Sequence, residues 1–261
     1  MPNGGAARDV AALRGRVALV TGSSRGIGAA IARQLAAAGA RVAVHGRDAR
    51  DAERVCRSIR AASGDAMSVI GDVTRYADIE RIRDEIEETL GPVEILVANA
   101  GGNLSPPGLV EQIDEDRWRA TVDANLTATF LTIKCFLPGM KARGSGSIVT
   151  ISSTAARRPH AGSPIAYAAA KAGIQLLTQD VAMQAGPFGV RVNCIAPETI
   201  LTERNRERIP DDVQRTLIES HPIRRLGTPD DVAAAALFLA SDASAWVTGI
   251  VLDVAGGAVM R

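Results

Sequence analysis

Short, mostly apolar runs alternate along the chain with longer segments in which apolar residues recur every three or four positions. The runs cover residues 17–20, 42–44, 67–70, 95–97, 147–151, 190–195 and 250–253. Runs of this length and composition are typical of strands that are buried on both faces of a parallel sheet. The pattern therefore predicts seven such strands.

The longer segments predict helices between these strands. After the first run, Ile27, Ile31 and Leu35 recur four residues apart on one helix face, and Gly39 ends the segment. Further helices are predicted over residues 51–62, 76–90, 118–136, 164–185, 211–220 and 229–240. Alternating strands and helices of this length predict an α/β fold, a single-domain doubly wound parallel sheet with helices on both faces.

Composition and charge narrow the possible classes of function. The chain has 261 residues, 46% of them hydrophobic, and a formal net charge of +1. This excludes a disordered chain, and it argues against nucleic acid as a partner because no basic excess is present. No apolar run reaches the roughly 18 residues of a membrane span. The three cysteines lie far apart, so we expect neither a disulfide framework nor a metal site.

The small and polar residues 1–13 indicate a flexible N-terminal arm, and residues 14–261 a single domain. The first residues lack a basic stretch followed by an apolar one, so no signal peptide is expected. A cytoplasmic location is the simplest expectation.

The first candidate chemical motif follows the first strand and opens the first helix. It reads Thr21-Gly22-Ser23-Ser24-Arg25-Gly26-Ile27-Gly28, and residues 21–28 are called the glycine loop below. Glycines let the backbone approach a phosphate closely, and a helix N-terminus supplies free N–H groups. An ordinary glycine-rich turn is the alternative. The position between strand and helix favours dinucleotide binding by Gly22, Ser24, Arg25, Gly26, Ile27 and Gly28.

Five further matches carry a resemblance to a known family. They are Asn99-Ala100-Gly101 after the fourth strand, Asn125 in a helix, Ser153 after the fifth strand, Tyr167 with Lys171, and the late segment Asp253-Val254-Ala255-Gly256-Gly257. Together with the spacing of the glycine loop, they resemble the short-chain dehydrogenase/reductase family from about residue 15 to 258. Within it, the chain is most similar to 3-oxoacyl-acyl carrier protein reductases. The resemblance implies a Rossmann-like catalytic domain.

Tyr167 and Lys171 also suggest acid–base chemistry on their own. Four residues apart on a helix, they share one face. A phenol has a reference pKa of about 10, and we expect the ammonium of Lys171 to lower it. Such a phenol can act as general acid or base. The alternative is a pair that merely shares a helix surface.

The resemblance assigns roles to the four catalytic candidates. Tyr167 transfers the proton, Ser153 orients the substrate carbonyl, and Lys171 also binds the nicotinamide ribose. Asn125 holds a water in a proton relay, although a capping or core amide is the alternative. The substrate is then a small-molecule carbonyl or alcohol, and the hydride comes from the cofactor.

The end of the second strand bears on cofactor choice. NAD-binding chains usually carry an acidic residue there for the ribose 2′-OH, whereas this strand ends in His45-Gly46-Arg47. Arg47 and Arg25 are suited to pair with a 2′-phosphate, so we expect NADP(H). Solvated surface arginines are the alternative, and Asp48, one residue later, keeps NAD open.

The resemblance implies further cofactor contacts. Asp72 and Val73 match an adenine-contacting pair. Asn99, Ala100 and Gly101 are expected to line the cofactor cleft. The alternative for Asn99 is a mainly structural role, in which it ties strands together. Pro197, Ile200 and Thr202 match a segment beside the nicotinamide carboxamide. In that segment Glu198 replaces the usual glycine, which leaves the local backbone conformation open. We expect its carboxylate to face solvent; the alternative is that it faces the substrate.

Substrate identity is less determined. A lid is expected over about residues 200–226, and Arg157, Arg158 and His160 are expected near the pocket mouth, where they meet an acidic substrate or solvent. Residues 179–188 lack a basic side chain for an acidic carrier protein. Three alternative functions therefore remain: a small-ketone reductase, an NAD-dependent secondary-alcohol dehydrogenase and a non-catalytic dinucleotide sensor.

The resemblance also implies a homotetramer. The helices that carry Asn125 and Tyr167 have many small residues on their outer faces, which permits close packing between subunits. Residues 256–261 are expected to join a second contact. A monomer with alanine-rich surfaces is the alternative.

Overall fold

Seven parallel strands form the sheet in the part of the chain that the structure describes. This computed structural model describes residues 13–159 and 162–260, apart from the side chain at position 208. The strands are β1 (Val17–Val20), β2 (Arg41–Gly46), β3 (Asp65–Ile70), β4 (Ile95–Ala98), β5 (Gly146–Ile151), β6 (Val190–Pro197) and β7 (Val251–Val254). Their order is β3-β2-β1-β4-β5-β6-β7, with every neighbouring pair parallel. The predicted doubly wound parallel sheet is confirmed.

The described α-helices largely follow the predicted ones. They are α1 (Gly26–Ala37), α2 (Ala49–Ala61), α3 (Tyr76–Thr89), α4 (Glu115–Val122), α5 (Ala128–Arg143), α6 (Ile165–Ala185), α7 (Glu203–Arg208), α8 (Asp211–Ser220) and α9 (Pro229–Ala240). The predicted helix 118–136 is wrong as one uniform element, because a π-helical segment, Asp123–Thr127, separates α4 from α5. The short helix α7 was not predicted.

Two apolar cores cover the two faces of the sheet. Helices α1, α2 and α9 pack on one face, where Leu35, Ile59 and Leu239 are buried. Helices α3, α5 and α6 cover the other face, where Ile82 and Phe136 are buried. Since successive strand residues point to opposite faces, strands enclosed in this way must be apolar throughout. This explains the runs that define them in the sequence.

Most of the predicted N-terminal arm lies outside the described residues. Leu13, its last residue, is fully buried in the core beside α1 and donates its N–H to the carbonyl of Ala38 at 2.7 Å. The predicted lid region folds as α7 and α8 and is joined to the body by a bridge between Ile200 and Gly227. No helix within the described ranges is long and apolar enough to cross a membrane.

A buried histidine connects three strands at the edge where they end. The Nδ1 atom of His45, in β2, accepts the N–H of Gly22 at 3.0 Å, and its Nε2 lies 3.1 Å from the carbonyl of Gly71 after β3. Only a neutral ring with its proton on Nε2 makes both bonds. Burial lowers the pKa of His45 to about 4, which keeps the ring neutral.

This arrangement predicts a stability loss in mild acid. The pKa of His45 is about 4 in the folded protein and 6.5 for the free side chain. The contribution of the neutral His45 ring to the free energy of unfolding is complete above pH 6.5. It is lost as the pH falls toward 4, because the unfolded chain then binds a proton that the folded chain does not bind. Lowering the pH from 7.5 to 4.5 should therefore decrease the free energy of unfolding by about 2.5 kcal/mol. Urea unfolding followed by circular dichroism at both pH values measures this loss.

The His45→Asn variant is the control, because an amide oxygen can accept the N–H of Gly22 but does not titrate. At a fixed protein concentration, the variant should lose less stability than the wild type between the two pH values. Equal losses in both proteins would contradict the assignment.

Candidate active site

The candidate site lies at the switch point of the sheet, between the carboxyl ends of β1 and β4. The chain moves outward from β1 to β3 and then returns to β4, which opens a crevice where such sheets bind ligands. The hydroxyl of Thr21 accepts the N–H groups of Asn99 and Ala100, both at 3.0 Å. The amide of Asn99 donates to the carbonyls of Thr21 and Gly22 at 2.9 and 3.1 Å. Asn99 thus ties the two strand ends together, as one of its predicted roles required.

The glycine loop needs its glycines for steric reasons. Gly22 and Gly26 have φ of 64° and 57°, in the left-handed region. A Cβ on Gly28 would lie 2.5 Å from both the Asn99 amide and the Gly22 carbonyl. No side chain caps α1 at Arg25. The uncapped N-terminus of α1 and the three glycines beside it therefore fit the pyrophosphate of a dinucleotide.

Other predicted cofactor residues surround this loop. A Cβ on Gly26 would lie 3.5 Å from Cγ2 of Thr202, so the loop and the start of α7 face each other. Ser24 packs beside Gly46 at the end of β2, and Arg25 is exposed. Ile27 is half-buried against the α1 core.

The end of β2 presents an exposed arginine, followed by an acidic residue that caps the next helix. Arg47 is exposed. The Oδ1 atom of Asp48 accepts the N–H groups of Arg50 and Asp51 at 2.8 and 3.0 Å, so Asp48 is the N-cap of α2. Asp48, the acidic residue that left NAD as an alternative cofactor, is therefore engaged in capping a helix.

The end of β3 supplies the predicted adenine-contacting pair. Asp72 accepts the N–H and the hydroxyl of Thr74 at 3.0 and 2.8 Å. The hydrogen bonds hold the pKa of Asp72 below its ordinary value, and the bond from the backbone N–H of Thr74 has the largest effect. The charge of Arg47 makes a smaller contribution in the same direction. Val73 is buried. Asp72 is therefore ionised and oriented in the same crevice as the glycine loop.

Ser153, Tyr167 and Lys171 come together at the end of β5 and the start of α6. Ser153 hydrogen-bonds the Tyr167 hydroxyl, and its Oγ also accepts the N–H of Ala155 at 3.1 Å. The Nζ atom of Lys171 lies 5.6 Å from the centre of the Tyr167 ring and donates to the carbonyl of Ile151 at 2.8 Å. The predicted proximity of these side chains is present.

The expected lowering of the Tyr167 pKa below that of an ordinary phenol is not present. Burial raises the pKa of Tyr167 because it destabilises the phenolate, and the hydrogen bond with Ser153 opposes this only in part. Burial also lowers the pKa of Lys171 to about 8. At neutral pH, Tyr167 is thus a protonated phenol and Lys171 is still mostly an ammonium.

Asn125 lies within the π-helical segment and is fully buried. Its amide nitrogen donates to the carbonyls of Gly102 and Thr121, and its Oδ1 accepts the N–H of Gly102 at 3.0 Å. A Cβ on Gly101 would lie 2.6 Å from that Oδ1. Asn125 therefore fixes the Gly101-Gly102 turn after β4, which agrees with the core-amide alternative. π-Helical insertions are frequent at functional sites.

Glu198 differs from its expected position. Its carboxylate is half-buried rather than free in solvent, and it accepts a hydrogen bond from the hydroxyl of Thr154, the residue after Ser153. Ser63 is the one non-glycine residue with positive φ among the described residues, so Glu198 adopts an ordinary backbone conformation. Nearby Pro197 ends β6, and Ile200 is buried.

The residues predicted at the pocket mouth do not act as a group. Arg157 forms a two-armed ion pair with Asp253, at 3.1 and 3.4 Å, and donates to the carbonyl of Val251. Arg158 is exposed, and His160 lies outside the described residues. Arg157 therefore holds the Ser153 turn against β7 rather than facing an acidic substrate.

Sequence reasoning missed three side chains that shape the site. Thr21 and His45 hold the glycine loop, and Thr154 connects the Ser153 turn to Glu198. A signal existed for His45, because a histidine inside an apolar strand must find polar partners there. Thr21 and Thr154 carried no comparable signal.

Comparisons with known proteins agree with this geometry. Residues 22–259 match a family model described as Enoyl-(Acyl carrier protein) reductase. Cis-4-hydroxycyclohexanecarboxylate dehydrogenase of Sinomonas cyclohexanicum is 40% identical over 93% of this chain and 96% of that protein. A 3-oxoacyl-[acyl-carrier protein] reductase of Brucella melitensis with bound NAD superposes with a TM-score of 0.88 at 35% identity, over 96% and 93% of the two chains.

A second solved structure carries the other cofactor. Gluconate 5-dehydrogenase of Burkholderia cenocepacia, in complex with NADP and tartrate, has a TM-score of 0.88 at 33% identity, covering 95% of this chain and 98% of that one. The family model and the relatives span nearly the whole chain, and the fold matches throughout. The chain therefore belongs to the short-chain dehydrogenase/reductase family of oxidoreductases, which act on alcohol and ketone groups.

Proposed function

We propose that the protein transfers a hydride between NADP(H) and a small ketone or secondary alcohol, with Ser153, Tyr167 and Lys171 as catalytic residues. The observation that carries the proposal is the convergence of the Ser153 side chain, the Tyr167 hydroxyl and the Lys171 ammonium between the end of β5 and the start of α6. A protein that only senses a dinucleotide has no need of a proton donor in this arrangement beside the crevice.

The protonation states favour carbonyl reduction at neutral pH. Bound NADPH would supply the hydride, held by the glycine loop, by Asp72 and by the segment from Pro197 to Thr202. Tyr167 is a protonated phenol and can give its proton to the substrate oxygen, which Ser153 orients. Lys171 then stabilises the phenolate that remains. In the oxidation direction the same phenolate accepts the proton of the alcohol.

The preference for NADP(H) over NAD(H) rests on the end of β2. Arg47 is exposed there, and Arg25 is exposed on the adjacent loop. Asp48 is occupied as a helix cap. Two exposed guanidinium groups favour a 2′-phosphate. The similar solved structures contain either NAD or NADP, so this preference comes from residues of this chain.

The substrate lid and the oligomeric state are two further parts of the proposal. We propose that residues 200–226, which include α7 and α8, cover the substrate. The outer faces of α5 and α6 expose Phe130, Leu176 and Met183, with Met183 74% accessible. Exposed apolar side chains on two neighbouring helices support a homotetramer, which buries them. The three cysteines are free thiols, as suits a cytoplasmic protein.

Replacing Tyr167 by Phe tests the catalytic assignment. Loss of the proton donor should lower kcat for ketone reduction by about 10² to 10⁴-fold, the usual contribution of general acid catalysis. The dissociation constant of NADPH, measured by fluorescence titration, should change little because the ring remains. Turnover near the wild-type rate would contradict the mechanism.

The pKa of Lys171 predicts a pH limit on reduction. Since that pKa is about 8, the ammonium that stabilises the phenolate is present below pH 8 and is lost above it. The value of kcat/KM for ketone reduction should therefore fall above about pH 8. A Lys171→Arg variant keeps its charge to higher pH and should lack this limb, whatever its absolute rate. The same limb in both proteins would refute the role of Lys171.

The cofactor preference can be tested at Arg47. We expect a higher kcat/KM with NADPH than with NADH, and Arg47→Ala should narrow the ratio by about tenfold, the equivalent of one lost charge-assisted contact. Arg57, exposed on α2 and far along the helix, provides the matched control, because Arg57→Ala should leave the ratio unchanged. A wild-type preference for NADH would overturn the proposal.

A further inference from the structure

A cavity of about 410 Å³ lies between the segment after β6, the region between α8 and α9, and the end of β7. Its wall includes Glu198, His221, Arg225, Asp231 and Asp253. Glu198 connects it to the catalytic turn, because its carboxylate accepts the hydroxyl of Thr154 next to Ser153. Glu198 therefore belongs to the cavity wall and also contacts the residue that follows Ser153.

The charges of the wall leave one carboxylate without a counter-ion. Arg225 pairs with Asp231 through two contacts of 2.7 Å. Asp253 pairs with Arg157. No ion pair involves Glu198 among the residues that the structure describes, and its polar contacts there are the hydroxyls of Thr154 and Thr199. The uncompensated charge of the cavity wall is therefore negative.

A buried nitrogen in the same wall lacks a partner. His221 is 3% exposed, and its Nδ1 hydrogen-bonds the carbonyl of Leu217, so Nδ1 carries the proton. No group in the described parts of the chain hydrogen-bonds its Nε2. In the neutral ring this atom is an acceptor, and leaving a buried acceptor unpaired is costly. The wall thus offers two acceptors, the Glu198 carboxylate and the His221 nitrogen, to an incoming donor.

We propose that this cavity receives the part of the substrate remote from the reacting carbon and selects substituents that donate hydrogen bonds. A hydroxyl or an ammonium group satisfies Glu198 and His221, whereas a carboxylate is repelled by Glu198. The inference rests on the proposed function, because it names the class of ketone that the same site accepts. It separates this chain from relatives whose names indicate carboxylate-bearing substrates.

Four ketones of similar size test the selection. They are cyclohexanones that carry at position 4 a hydroxymethyl, an aminomethyl, an ethyl or a carboxylate group. The value of kcat/KM is measured with NADPH at one fixed pH for all four ketones. In the wild type, the hydroxymethyl and aminomethyl ketones should exceed the ethyl ketone by about 3- to 10-fold, the value of one hydrogen bond. The carboxylate should fall below the ethyl ketone by a similar factor.

Variants identify the responsible atoms. Glu198→Gln removes the charge but keeps an oxygen for the Thr154 hydroxyl, so it should raise the ratio of carboxylate to ethyl ketone about tenfold. Glu88→Gln changes an exposed carboxylate on α3, outside both the cavity wall and the proposed lid, and should leave this ratio as in the wild type. His221→Asn keeps a donor for Leu217 but has no atom at Nε2, and it should reduce the ratio of hydroxymethyl to ethyl ketone.

The outcomes separate the two proposals. If none of the ketones, nor their alcohols, reacts with NADPH or NADH, the proposed function fails. If they react but the four values of kcat/KM agree within threefold, or the Glu198→Gln ratios equal those of the wild type, this inference alone is overturned. Should His221→Asn not fold, as judged by its melting temperature, the Glu198→Gln comparison still decides.

Discussion

The candidate site depends on a buried hydrogen-bond network that ties the glycine loop to the ends of three strands. His45 accepts from Gly22 and spans to the loop after β3, while Thr21 and Asn99 join β1 to β4. Thr21 and His45 are buried, so a missing partner would leave a polar atom of either side chain without water. The network therefore fixes the loop in the one conformation that leaves the start of α1 open to a phosphate.

A second constraint is the low polarity around the catalytic side chains. Burial moves the two pKa values apart, because it disfavours the phenolate of Tyr167 and the ammonium of Lys171 alike. The phenol of Tyr167 therefore keeps its proton at neutral pH. Below a pH of about 8 the amine of Lys171 is also charged, so the two side chains are already in the protonation state that carbonyl reduction requires. Oxidation of an alcohol must begin from a phenolate, which this environment makes less accessible.

The sequence predicted most of the fold because burial on both faces of the sheet leaves so clear a pattern. Helices α8 and α9 and strand β1 begin and end at the predicted residues, and each end of the other strands lies within two residues of its predicted position. The π-helical segment around Asn125 was beyond such reasoning, because one extra residue per turn scarcely changes apolar periodicity. Partners across the fold were also inaccessible: the contact between Glu198 and Thr154 spans 44 residues and depends on how β5 and β6 align.

Glu198 illustrates how a departure from a family motif acquires meaning only in three dimensions. Where its relatives usually have glycine, this chain places a carboxylate with an ordinary backbone conformation, so the substitution introduces no positive-φ strain. What changes is the chemistry of the wall beside Ser153. A half-buried carboxylate repels anions and attracts donors, and the neighbouring Nε2 atom of His221 has no hydrogen-bond partner within the described residues. We therefore propose that Ser153, Tyr167 and Lys171 set the reaction type, whereas groups that never touch the reacting carbon set the choice among ketones.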